Sequence, residues 1–199
     1  MNAVSSDQTP RVWAAMLTWR AQDSSRMESV RVQLSGKRIK ANGRIVAAAT
    51  PNNPAFGAYY DLQTDETGAT KRLGLTVTLA ERERVLSIAR DEENMWLLTD
   101  HQGERRAAYD GALDVDVVFS PFFNALPIRR LGLHERADTV ALPMVYVNVP
   151  DMSVNAATVS YASEGRLDGI KLRSPVADTT VRVDRDGFIV DYPGLAERI

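Results

Sequence analysis

The chain has 199 residues, no cysteine and a formal net charge of −2, from 24 Lys and Arg against 26 Asp and Glu. This balance leaves no excess of cations to neutralise a phosphate backbone, so nucleic acid is not an expected partner, and disulfides and thiolate metal sites are excluded. Hydrophobic residues make up 44% of the chain, enough for the core of a globular domain.

The first ten residues, Met1–Pro10, are polar and lack both a charged start and an apolar run. They therefore match neither a secretory signal nor a membrane anchor, and we expect a flexible N-terminus at residues 1–10 and a single β-rich domain at residues 11–199. No stretch approaches the roughly 20 apolar residues of a membrane-spanning helix. These features predict a cytoplasmic protein without an integral membrane segment.

Alternation of apolar and polar residues dominates the chain and predicts strands. Val30, Val32 and Leu34 alternate with polar residues, and the turn at 35–37 leads into a second strand at 39–43. This pair is predicted to form a hairpin.

Two further strands, at 56–61 and 70–79, flank a polar loop at 65–68 and predict another hairpin. The charged run after Leu79 is rich in helix formers, but it carries no sustained apolar stripe at helical spacing. We therefore expect a charged turn followed by a strand at 85–90. A terminal hairpin is predicted at 179–192, with its turn at Asp184–Gly187.

The segment from Ser120 to Leu133 is the predicted helical part. Ser120 is a candidate N-cap, Pro121 suits the first helical position, and Gly132 suits the exit. Because Pro127 lacks the backbone N–H that a continuous helix requires, the sequence predicts two short helical turns around 121–131.

Asp114 and Asp116 are two residues apart, so in a strand both carboxylates lie on one face. Two close carboxylates are able to hold a hard cation or to divide acid and base roles. Arg129 and Arg130 follow in the same region, and guanidinium groups pair well with carboxylates. Three roles therefore remain open for these residues: a structural ion-pair network, a catalytic or metal site, and ligand binding. The structural network predicts that Asp114 or Asp116 pairs with Arg129 or Arg130.

The run from Gly111 to Leu133, GALDVDVVFSPFFNALPIRRLGL, resembles the motif of the putative glycolipid-binding family, in which Asp-x-Asp leads into Ser-Pro-Phe-x-Asn-x-Leu-Pro-Ile-Arg-Arg-Leu. Trp96 after an acidic turn and the terminal run VDRDGFIVDYPGL at 183–195 agree with the resemblance. Phe123 and Ala125 stand where the family usually has Thr.

The resemblance implies a mainly β fold, a strongly curved antiparallel sheet that is half-barrel or barrel-like, with the helical turns against it. It also implies a pocket for an amphiphilic small molecule between the sheet and the turns, with apolar walls and few polar groups. The candidate ligand-binding residues share this motif: Asp114, Asp116, Phe122, Asn124, Arg129 and Arg130.

The preferred hypothesis is noncatalytic binding of a lipid-like or glycolipid-like amphiphile, with Arg129 or Arg130 meeting the head group. The alternatives are a small-molecule enzyme that uses the two Asp carboxylates and an interaction module without a small ligand. The familiar nucleotide-binding, hydrolase and zinc-protease motifs are absent. The sequence predicts no cofactor and no metal site, and both His101 and His134 are expected at the surface.

Overall fold

The structure is a computed structural model and describes residues 13–199. Strands occupy 58% of the described residues and helical segments 7%, which confirms the prediction of a mainly β fold. The predicted flexible segment at residues 1–10 lies outside the described residues. No helix within residues 13–199 has the length and hydropathy needed to cross a membrane.

Fifteen strands form the fold within residues 13–199. In chain order they are β1 (Trp13–Ala21), β2 (Arg26–Ser35), β3 (Arg38–Ala47), β4 (Phe56–Thr64), β5 (Thr70–Thr78), β6 (Glu83–Arg90), β7 (Trp96–Asp100), β8 (Gly103–Ala107), β9 (Asp114–Val117), β10 (Ala137–Val147), β11 (Val154–Glu164), β12 (Ile170–Arg173), β13 (Asp178–Val183), β14 (Ile189–Tyr192) and β15 (Ala196–Arg198). Helix α1 (Ala125–Leu131) follows a 3-10 turn at Pro121–Asn124.

The strands make one curled, unclosed sheet that runs from β8 at one edge through β1 and β15 to β9 at the other. Neighbouring strands are antiparallel except β9 and β10, which are parallel. The two ends of the sheet are linked near β9, because Trp96 donates its indole N–H to the carbonyl of Ala112 over 3.0 Å. The backbone N–H of Thr70 likewise donates to the carbonyl of Leu113.

The predicted hairpins at β2–β3, β4–β5 and β13–β14 are confirmed, and so is the charged turn that leads into β6. The helical region also matches its prediction, since the 3-10 turn and α1 are both short. Gly132 ends α1 with φ = 67°, a left-handed conformation that costs glycine little.

The interior consists of two apolar clusters that meet at β9 and β10. Val115 and Val117 lie in the first cluster, which covers the concave face of β2–β7. Met144, beside Asp114 in the parallel register, lies in the second cluster under β10–β14. Segment 121–131 contributes to both clusters, since Phe122 packs in the first and Ile128 in the second. The motif therefore joins the two parts of the curled sheet.

Candidate functional site

The helical segment fills the space beside the curved sheet with its own side chains. Phe122 and Phe123 are fully buried, and their ring centroids lie 6.0 and 5.0 Å from that of Tyr60. Phe122 also stacks on Phe188 at 6.1 Å. Phe122 therefore packs between two other aromatic side chains of the core, Tyr60 and Phe188.

Asp114 and Arg130 form a buried ion pair that fastens α1 to β9. The Arg130 Nη2 atom lies 2.6 Å from Asp114 Oδ2, and Arg130 Nε lies 3.2 Å from the same oxygen. The predicted pairing of a motif Asp with a motif Arg is thus confirmed. Burial raises the pKa of Asp114 despite this partner, so desolvation outweighs the attraction of the guanidinium.

Asp116 has a different environment, although its carboxylate lies on the same face of β9. Within residues 13–199 it forms no salt bridge, and burial raises its pKa to about 7. Its charge in turn contributes to raising the pKa of Tyr146 and Tyr192, after burial of each phenol. Asp116 is thus a buried carboxyl in aromatic surroundings.

The remaining predicted residues contact the protein itself. Asn124 accepts a hydrogen bond from the Tyr161 hydroxyl over 3.0 Å. Arg129 donates to the carbonyl of Asp186 and places its guanidinium 5.1 Å from the Phe188 ring centroid. Neither Arg129 contact involves a motif carboxylate. A ligand role for the six predicted residues stays a prediction.

A second buried carboxylate, Glu28 on β2, joins the sheet to the start of the helical segment. The Tyr60 hydroxyl donates to Glu28 Oε1 over 2.7 Å, and the Ser120 hydroxyl donates to the same oxygen. Ser120 occupies the N-cap position as predicted, but its hydroxyl makes no capping hydrogen bond with the helical turn. Glu28 Oε2 is buried and has no partner within the described chain. Burial raises the pKa of Glu28 to about 7, although the hydrogen bonds from Ser120 and Tyr60 oppose the shift. The backbone N–H of Phe122 also opposes it, but it forms no hydrogen bond with Oε2.

A glycine on the intervening strand makes the Tyr60 contact possible. Gly43 on β3 stands between Tyr60 on β4 and Glu28 on β2, and it pairs with Tyr60 in the sheet register. A Cβ atom at Gly43 would lie 2.0 Å from Tyr60 Cζ, far inside van der Waals contact. Because glycine has no Cβ, the phenol ring lies across β3 and reaches the carboxylate.

Phe119 lies immediately before Ser120 and is partly buried. Its φ of 73° is uncommon for a bulky residue and indicates local backbone strain. The Arg26 guanidinium lies 4.6 Å from the centroid of its ring, within cation–π range. The Phe119 ring thus lies against the guanidinium group of Arg26.

Two clefts meet at Phe119, and they share Asn52 and Asn53 as well. The larger has a volume of about 690 Å³, and polar residues line it in the same number as apolar residues such as Leu79. The smaller, of about 370 Å³, includes Arg26. We call these two spaces the Phe119 clefts. Asp114 and Asp116 line neither of them.

Both the sequence and the fold are similar to those of known proteins. The sequence model of a family described as "Putative glycolipid-binding" matches residues 16–198. The chain belongs to this family. The crystal structure of a DUF1089 family protein from Pseudomonas aeruginosa aligns with a TM-score of 0.70 at 25% identity, over 94% of this chain and 97% of that chain. None of the curated proteins matches the chain.

Sequence reasoning missed Arg26, Glu28, Gly43 and Tyr60 in this member of the putative glycolipid-binding family. The signal was present, because the two-residue period of Val30 extends back to Glu28 and Arg26 and places both on the inner face. A charged residue in an inward position of a strand indicates either a partner or a functional site.

Histidine placement differs from the prediction at one position. His101 is exposed as expected, but the His134 side chain is only 9% exposed, and its Nδ1 atom is buried without a partner in the part of the chain that the structure describes. The exit from α1 turns His134 inward, and its ring lies close to Gly187. Within residues 13–199, no three His, Asp or Glu side chains converge in a group that could hold a metal ion.

The buried ion pair makes a stability prediction. In Arg130→Met the long apolar stem remains, but Asp114 loses its guanidinium, so we expect unfolding free energy to fall by about 3–5 kcal/mol in a urea titration. Arg173→Met, which breaks the exposed pair with Asp178, is the control and should cost less than about 1 kcal/mol. Equal effects of the two substitutions would contradict the buried pairing.

The raised pKa of Glu28 predicts a fall in stability as pH rises. Between the ordinary value of 4.5 and about 7 the folded protein binds more protons than the unfolded chain, so this contribution is complete below 4.5 and lost as pH approaches and passes 7. Glu28→Gln should flatten this part of the stability profile, measured by urea unfolding from pH 4 to pH 8. The exposed Glu104→Gln is the control, and an unchanged slope in Glu28→Gln would contradict the assignment.

Proposed function

We propose that the protein binds a lipid-like amphiphile, without transforming it, in the Phe119 clefts. Membership of the putative glycolipid-binding family supports the class of ligand. The observation that carries the location is the larger cleft, whose volume of about 690 Å³ lies within the usual range for small-molecule sites. The clefts open at Phe119, which lies inside the family-like motif.

The chemistry of the clefts suits an amphiphile. Pro54, Leu79 and Val149 offer apolar surface for a hydrocarbon tail, and Arg82 and Asn148 offer polar contacts nearby. Binding sites for small molecules commonly combine apolar walls with a few polar groups. Each methylene group removed from water contributes roughly 0.8 kcal/mol, so a tail held on these walls supplies most of the affinity.

The motif residues have an indirect part in this proposal. Phe122 and Asn124 are buried in the described structure, so a ligand reaches them only if the helical segment moves away from the sheet. Arg130 fastens that segment through Asp114, and Arg129 through the Asp186 carbonyl. We propose that these contacts fix the position of Phe119, and that the ligand itself contacts the residues that line the clefts.

A small-molecule enzyme is the second candidate, and Asp116 is the observation that favours it. A buried carboxyl with a pKa of about 7 is able to donate or accept a proton near neutral pH. Asp114, its proposed partner, is engaged by Arg130, which leaves Asp116 as the carboxyl available for such chemistry. The proposal of noncatalytic binding would be wrong if a bound amphiphile were converted by the wild type but not by Asp116→Asn.

Calorimetric titration with fatty acids of increasing chain length tests amphiphile binding. We expect saturable binding, with affinity rising about fourfold per methylene until the clefts are full. Phe119→Ala should weaken binding about tenfold because it removes apolar contact at the junction of the clefts. Arg130→Ala tests whether the motif residues that were predicted from the sequence contact the ligand.

Tyr59→Ala is the matched control, since Tyr59 is an aromatic residue on the exposed outer face of β4. It should leave affinity unchanged. A loss of binding in Arg130→Ala with none in Phe119→Ala, measured at a temperature where both variants are still fully folded, would move the site to the helical segment. Absence of saturable binding to any chain length would favour an interaction module without a small ligand.

A further inference from the structure

A separate cleft lies at the opposite end of β3 and β4 from the Phe119 clefts. It is formed where β3 begins and β4 ends, whereas the Phe119 clefts include Asn52 and Asn53 from the loop between these strands. Its volume is about 310 Å³, at the lower end of the usual range for small-molecule sites. We call it the Lys71 cleft, and its charged and amide-bearing residues are Arg38, Lys40, Gln63, Asp65, Glu66 and Lys71.

A β-bulge brings Lys71 to this cleft. The register of β4 against β5 shifts between Gln63 and Thr64, and Lys71 is the extra residue on β5. Lys71 also has no partner on β6. Bulges change the direction of a side chain and are common next to active sites. Lys71 and its neighbour Arg72 are both exposed, where regular alternation would turn one of them inward. The bulge therefore adds a lysine to the outer face of the sheet.

Lys40 and Gln63 extend this polar surface across the neighbouring strands. Lys40 on β3 pairs directly with Gln63 on β4, and both side chains lie on the outer face. Directly opposite residues on one face of a sheet have Cβ atoms about 4.5–5.5 Å apart. Because lysine has a long and flexible stem, the ammonium groups of Lys40 and Lys71 are able to converge over the Gln63 amide.

The two carboxylates of the cleft already have cationic partners. Glu66 pairs with Arg38, and Asp65 Oδ2 lies 2.6 Å from Nη2 of Arg90. Asp65 Oδ1 also accepts hydrogen bonds from the backbone N–H and the hydroxyl of Thr67, over 2.9 and 2.7 Å. These contacts leave neither carboxylate to neutralise a further cation.

Lys40 and Lys71 are the charges of the cleft that have no counter-charge. Within residues 13–199 neither of them forms a salt bridge, whereas the adjacent Arg72 pairs with Asp61. Two like charges in one cleft repel each other, and an anion bound between them offsets that repulsion. The cleft thus offers two uncompensated positive charges, together with an amide that is able to donate hydrogen bonds.

We infer that the Lys71 cleft binds a phosphate group. A phosphate monoester carries a charge of about −1.5 to −2 at neutral pH, which matches the two lysines, whereas a carboxylate carries a single charge. Lysine binds phosphate as a compact point charge. The inference does not rest on the proposed function, because this cleft is separate from the Phe119 clefts. A free phosphate compound and a lipid head group share this chemistry, and the test distinguishes them.

The test is a titration of the full chain with inorganic phosphate and with acetate at low ionic strength, followed by backbone amide NMR signals. Phosphate should shift the signals of Gln63 and Lys71 saturably and bind at least about tenfold more tightly than acetate. Lys40→Gln and Lys71→Gln should each weaken phosphate binding about tenfold, because each removes one of the two positive charges. Both side chains are exposed, so both variants should fold. Sedimentation with phosphatidylcholine vesicles, with and without phosphatidic acid, tests the lipid source.

Lys171→Gln is the matched control, because Lys171 is an exposed lysine that lines a different cleft, on β12. It should leave phosphate binding unchanged. Phosphate binding without lysine-dependent binding to vesicles would identify a free phosphate compound as the ligand. Binding to phosphatidic acid vesicles that Lys40→Gln and Lys71→Gln abolish would identify a lipid head group.

Three results would overturn the inference. The first is no saturable binding of phosphate together with no lysine-dependent binding to vesicles. The second is equal affinity for phosphate and acetate, and the third is an equal loss of binding in Lys171→Gln, which would indicate a nonspecific effect of charge. The titration with fatty acids decides the proposed function independently of these results.

Discussion

The Glu28 carboxylate is the contact on which the arrangement of the site depends. It lies inside an apolar cluster and collects the hydroxyls of Tyr60 and Ser120, residues that come from β4 and from the start of the helical segment. The contact with Tyr60 requires a glycine at position 43, since any side chain there would collide with the phenol ring. One buried oxygen therefore sets the position of Ser120, and with it that of Phe119.

The structure treats its three inner carboxylates in three different ways. Asp114 receives a guanidinium, Glu28 receives neutral hydroxyl donors, and Asp116 forms no salt bridge within the described residues. Burial raises the pKa in every case, so each carboxyl costs free energy that packing must offset. The ion pair of Asp114 has an evident structural role. The second oxygen of Glu28 is buried without a hydrogen-bond partner among the described residues.

Local patterns in the sequence predicted seven of the fifteen strands within residues 13–199, the two short helical turns and the pairing of a motif Asp with a motif Arg. These features depend on a two-residue period, on proline chemistry and on charges within one motif. The bond between Glu28 and Ser120 spans 92 positions and depends on how the sheet curls, which no local pattern encodes. Packing also decided that Phe122 fills the interior and that His134 turns inward. Glu28 lies on the two-residue period of β2, but the strand was predicted from its hydrophobic residues, and the first of these on the inner face is Val30.

The most direct test of this account is a crystal structure of the protein with octyl glucoside bound. The account predicts that the octyl chain lies in the Phe119 clefts, against the side chains of Leu79 and Phe119. An octyl chain held between the helical segment and the sheet, with the glucose ring on Arg129 and Arg130, would contradict it.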